Sequence, residues 1–149
     1  MNVIGIKSQI SSIYSPEGGL LVTVINKTGE DSVKGKAVDT ESTVNNGVNL
    51  VEVGGFDAVG IIYDSGIADG EEMRIVVAGV AEVLYINAAT RGYFARINIS
   101  ADADDVPGGV ISEPLPSPPL ATDKHFREIG HVIETIASPG LAKTIIHFN

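Results

Sequence analysis

The side chains here that could do chemistry are three histidines, nineteen carboxylates and a scatter of hydroxyls, with no cysteine among the 149 residues. His131 and His147 fall in two apolar runs near the end of the chain and would face each other if those runs pair as a hairpin. With an acid such as Glu134 they could hold zinc, but the close His spacing of zinc motifs is missing, so surface or structural histidines are expected and no metal ligand is assigned. His125 stands apart from both. Asp102-Ala103-Asp104-Asp105 with Glu113 matches a calcium loop at its first, third and twelfth places. Val106 and Pro107 occupy the fifth and sixth, where an oxygen ligand and a glycine are needed, so a solvated acidic loop is expected. Asp64, Asp69, Glu71 and Glu72 crowd a turn without ligand spacing. Ser65 follows Asp64, but no nucleophile elbow, phosphate loop or dinucleotide fingerprint is written anywhere. The expectation is no catalytic residue and no cofactor.

Charge narrows the partners. Ten basic against nineteen acidic residues give a net charge of −9, which repels nucleic-acid phosphates and anionic lipid surfaces. Neither is expected as a partner. No segment approaches the ~18 uninterrupted apolar residues of a membrane helix, and the first residues do not read as a signal peptide. Aromatics are few, with four Phe, four Tyr and no Trp, against the stacking platforms of a sugar-binding module. Tyr14, Tyr63, Tyr85 and Tyr93 read as half-buried strand residues.

The elements that would position these groups are strands. Val and Ile number 17 and 18 against 7 Leu, and branching at Cβ suits a pleated surface. Glycine, at 17, supplies turns. Strands are predicted over residues 20–25, 33–38, 48–53, 58–63, 73–78, 80–86, 93–99, 129–137 and 141–148, with 58–63 paired to 73–78 and 80–86 paired to 93–99. Residues 100–123, holding five of the seven prolines, read as an irregular excursion. An internal repeat is visible seventy residues apart (56 to 126). Phe56-Asp57-Ala58-Val59-Gly60-Ile61-Ile62-Tyr63-Asp64-Ser65 lies over Phe126-Arg127-Glu128-Ile129-Gly130-His131-Val132-Ile133-Glu134-Thr135, and the match runs on without a gap to Ile75-Val76 over Ile145-Ile146. The fold class predicted is all-β: a small β-barrel or β-sandwich built from hairpins, with an extended N-terminal arm over 1–18, a single β domain over 19–149 and a Pro-rich loop.

Two resemblances follow from these residues. Gly60-Ile61-Ile62-Tyr63-Asp64-Ser65-Gly66 is faintly similar to the uracil-binding hairpin of trimeric dUTPases, but the Arg-Ser-Ser and glycine-rich tail motifs that this family implies are missing. Residues 58–72 with 76–84, and 128–137 with 142–149, resemble the small head-decoration (capsid auxiliary) proteins of tailed bacteriophages. That resemblance implies a non-enzymatic virion structural protein, made in the host cytoplasm, that binds the outside of a phage capsid and stabilises the head. It implies the major capsid protein and further copies of the chain, as a homotrimer, for partners. A receptor-binding or fibre-associated β domain of the virion is the alternative, and a small trimeric dUTPase-type enzyme the second alternative. The contacts expected are Ile4, Ile6, Ile10, Ile13 and Tyr14 of the arm, able to add a strand to a neighbour's edge, and Pro114, Pro116, Pro118 and Pro119, whose stiff backbone loses little entropy on docking.

Overall fold

A computed structural model describes residues 13–102, 106–114 and 126–148. Among the described residues nine strands form: β1 (Gly19–Asn26), β2 (Ala37–Thr40), β3 (Gly47–Leu50), β4 (Gly60–Ile62), β5 (Glu72–Tyr85), β6 (Phe94–Ile97), β7 (Val110–Glu113), β8 (Glu128–Val132) and β9 (Gly140–Ile146). The fold is all-β, as the Val- and Ile-rich composition predicts. It is one nine-stranded sheet rather than a simple barrel.

The sheet closes on itself twice, and β5 belongs to both closures. In the first circuit β1 pairs with β3, β3 with β2, β2 with β4, β4 with β5, and β5 back with β1. In the second, β5 pairs with β7, β7 with β6, β6 with β8, β8 with β9, and β9 back with β5. The connectivity is the same in each: first strand to third in parallel, and every other pairing antiparallel. The repeat read in the sequence is therefore the visible part of a duplicated topology. Its register differs from the gapless expectation. Ile61 faces Val76, whereas His131 faces Ile145, so fifteen residues separate the pair in one copy (76 − 61) and fourteen in the other (145 − 131).

One strand can serve two circuits because it bends. Leu20 faces Ala78 and Leu21 faces Val76, leaving Val77 as a bulge, and two residues on Gly79 has φ +83°. A Cβ on Gly79 would lie 2.4 Å from the Gly18 carbonyl oxygen, so only glycine fits. At Gly79 the β1 ladder ends and the β9 ladder begins. Residues 73–78 and 80–86, predicted as separate strands because glycine reads as a break, are thus one. Its second half pairs with β9 rather than with the strand around residues 93–99, which instead lies between β7 and β8. The predicted excursion over 100–123 contains a strand of its own, β7.

Two cores result. Val38, Val48, Ile62, Met73 and Ile75 form the smaller, and the larger gathers Val83, Tyr85, Ile97, Val110, Val132 and Ile146 with others. The register row Ala37–Ile61–Val76–Leu21, although part of the first circuit, packs into the larger core, which joins the two circuits into one body. Tyr85 is fully buried rather than half-buried. Its hydroxyl shares a 2.6 Å hydrogen bond with Thr144 Oγ1, and burial pushes the phenol's pKa well above its usual value.

Candidate functional site: a histidine–glutamate cluster and exposed apolar groups

The histidine pair forms as the hairpin predicts, but its acid is a different residue. His131 faces Ile145 across the β8–β9 ladder, and His147, two residues on, shares the face of Ile145. The rings lie 5.4 Å apart, centroid to centroid. Glu134 does not join them, since its Oε1 accepts the Lys143 backbone N–H at 3.1 Å. Glu128 does. Its Oε1 is 3.2 Å from His131 Nε2 and 3.7 Å from His147 Nε2.

Residues three apart on a regular strand point to opposite faces, which hides Glu128 from a period-two reading. The β6–β8 ladder explains the exception. Ala95 faces Gly130 and Arg96 faces Glu128, so Ile129 is an extra residue in β8. That bulge turns the strand by one position and brings Glu128 onto the histidines' side. Glu128 is nearly buried, with 9% of its side chain exposed, against 44% and 45% for His131 and His147. The cluster is a shallow site with a buried carboxylate at its floor. His125 lies outside the described residues.

The acids of the calcium-like pattern do something else. Arg96 is buried in the middle of β6, and its guanidinium takes both Asp102 oxygens, each at 3.0 Å, and Glu113 Oε2 at 3.0 Å. Asp102 Oδ2 also accepts the Ile99 N–H at 2.7 Å. Asp102 and Glu113 are therefore structural anions, not a solvated loop; Asp104 and Asp105 lie outside the described residues.

Asp64 is also engaged. It accepts the Arg74 backbone N–H at 3.0 Å, Nε at 2.9 Å and Nη2 at 2.7 Å, and these hydrogen bonds hold its carboxyl below the usual carboxylate range. The depressed folded pKa means that the pair stabilises above the unfolded carboxylate's pKa and that this contribution fades as pH falls through the folded value. Asp64→Asn is expected to lower stability by about 1 kcal/mol at pH 7, because the partners are partly exposed. The deficit should shrink as pH falls below the unfolded carboxylate's range, read from urea melts at neutral and acid pH.

Of the expected contact residues, Ile4, Ile6, Ile10, Pro116, Pro118 and Pro119 lie outside the described residues. Ile13, Tyr14 and Pro114 are described, and all three are exposed, Tyr14 at 61%. Ile13 and Tyr14 are nevertheless fixed. The Ile13 carbonyl accepts the Leu21 N–H at 2.6 Å, Tyr14 bridges to Leu20, and Ser15 Oγ accepts the Gly19 N–H at 2.8 Å. A tight turn through Gly18 (φ +100°) thus lays the last residues of the predicted arm back on β1. Among the described residues every named strand already has at least two partners.

A further exposed pair was not foreseen. Phe56 and Phe126, equivalent in the repeat, meet edge to face with centroids 6.4 Å apart, although 48% and 51% exposed. The Arg127 guanidinium sits 4.3 Å above the Phe56 ring and its Nε donates to the Gly54 carbonyl at 2.9 Å. The sequence signal available for this contact was the repeat, which sets Phe56 and Phe126 at equivalent positions.

No family model matches the chain, and no curated protein matches it. Among solved structures it is similar to the N base of the head fiber gp8.5 of bacteriophage phi29, at 12% identity and a TM-score of 0.48, over 86% of this chain and 93% of that one.

Proposed function

We propose that this chain is a non-enzymatic structural protein of a phage virion, one that binds the outer face of the capsid and reinforces the head. The observation that carries the reading is the pair Ile13 and Tyr14. Their backbone is fastened to β1 while their side chains face solvent. A fixed, outward-facing apolar stub suits docking on another protein, because little entropy is lost when a preset backbone binds. The resemblance of residues 58–84 and 128–149 to head-decoration proteins supports the same reading, and those stretches contain the equivalent strand pairs β4–β5 and β8–β9. Partners on this reading are the major capsid protein and further copies of the chain, with threefold symmetry multiplying weak contacts. The acidic surface favours an exterior position away from packaged DNA.

The exposed Phe56–Phe126 pair favours a second reading, a fibre-associated or receptor-binding domain of the same particle. Copy number separates the two. Quantitative mass spectrometry of purified particles is expected to find hundreds of copies, near one per capsid subunit, whereas a dozen or fewer would move the chain to a vertex or fibre. Absence from particles would overturn both readings. Deleting residues 1–12 and replacing Ile13 and Tyr14 by Ser is expected to reduce capsid binding at least tenfold in co-sedimentation while the melting temperature stays within a few degrees. Unchanged binding by this folded variant would refute the docking role of the stub.

A further inference from the structure

From the geometry of Glu128, His131 and His147 we infer a binding site for a divalent transition metal of the zinc type, on the outer face of the β8–β9 hairpin. Two imidazole nitrogens and one carboxylate oxygen are the mixed nitrogen and oxygen donors that Zn²⁺ takes when it keeps a position open. The three donor atoms lie within 4.8 Å of one another. With bonds of about 2.1 Å in a tetrahedral arrangement, donors sit about 3.4 Å apart. The Glu128–His131 and Glu128–His147 separations of 3.2 and 3.7 Å bracket that value. The two imidazole donors lie within 4.8 Å of each other, so closing the set around an ion draws the exposed rings together by up to about 1.4 Å through side-chain rotation.

The scaffold suits the task. His131 lies in β8 and His147 directly follows β9, and the His147 backbone N–H is held by the Ile129 carbonyl at 2.8 Å, which fixes their spacing beside the β8–β9 ladder. Glu128 is placed by a bulge, a device that re-aims a side chain at the cost of a ladder bond. Its buried carboxylate presents a negative charge in a medium less polarisable than water, which strengthens attraction for a dication. Both imidazoles are open to solvent on one side, so the ion can enter and its remaining position is filled by water. Calcium and magnesium fit poorly, since they prefer six or more oxygen ligands. The site stands independently of the virion reading, because it uses only two residues of β8 and the residue that follows β9.

The test is calorimetric titration of the tag-free full chain with ZnCl₂ at pH 7.5, with thermal melting in parallel. One Zn²⁺ per chain and a raised melting temperature are expected. His131→Asn with His147→Asn, at exposed positions where folding should survive, is expected to weaken binding at least a hundredfold, and Glu128→Gln at least tenfold. Saturating MgCl₂ should not compete. Binding that is absent up to 1 mM Zn²⁺, or that persists in the folded double variant, would overturn the site. Persistence would assign the affinity to scattered acids elsewhere.

Discussion

Replacing Arg96 by alanine is expected to lower the unfolding free energy by ~3–5 kcal/mol, because it removes the charge that offsets two largely buried carboxylates. Arg96 is 3% exposed, yet it makes three charge-assisted contacts to Asp102 and Glu113 and donates to the Ile97 carbonyl at 3.2 Å. These bonds tie β6 to the end of β7 and to the loop that follows β6. For a chain of this size the loss corresponds to a fall of roughly 10 °C in melting temperature. Arg96→Lys should lose less but still more than 1 kcal/mol, since an ammonium cannot match the two Asp102 oxygens in the plane of a fork. Differential scanning calorimetry decides it. An alanine variant that melts within 2 °C of the parent would show that the carboxylates find water as readily as they find Arg96.

Gly130→Ala is expected to cost ~3 kcal/mol or more, and for a reason that differs from ordinary helix or strand propensity. A Cβ at this position would stand 2.2 Å from the Ile145 carbonyl oxygen and 2.9 Å from the Ile146 Cα. Both are backbone atoms of the paired strand, so no rotamer change relieves the overlap, and β8 and β9 must separate. The equivalent Gly60 gives the internal control. There the added Cβ would meet the tip of Ile75, Cδ1 at 2.7 Å, before the Val76 carbonyl oxygen at 3.2 Å. A flexible side-chain end can move, so Gly60→Ala should cost about half as much. Urea melts of the two variants check the ordering, and equal losses would contradict the contact geometry.

Much of this architecture is legible in the chain. The runs at residues 58–63 and 73–78 alternate or stay apolar and are separated by turn residues, and they do pair as β4 and β5. The repeat of Phe56 to Ser65 in Phe126 to Thr135 announces the duplicated topology. Other features were hidden for identifiable reasons. Gly79 reads as a strand break, because nothing local reveals that the Gly18 carbonyl comes close enough to demand a glycine inside a continuous strand. Val110 to Glu113 sits among prolines and glycines that signal irregular chain, and only its pairing with β6 makes it β7. Arg96, between Ala95 and Ile97, gives no sign that its charge is met by acids at 102 and 113. Glu128 is the sharpest case. Strand periodicity puts it opposite His131, and only a bulge, which is set by tertiary pairing with Ala95 and Arg96, moves it to the histidines' side.

The shared strand has a kinetic corollary. Neither circuit can close until β5 has met strands far away along the chain, β1 at one end and β9 at the other. Loop-closure entropy must be lost before those pairings return any enthalpy, so the chain belongs with slow-folding, high-contact-order topologies. Once closed, the same strand denies each half an independent way to open. Backbone amides of β5 should therefore exchange with deuterium only through global unfolding, and the two repeats should lose protection together rather than as separate foldons.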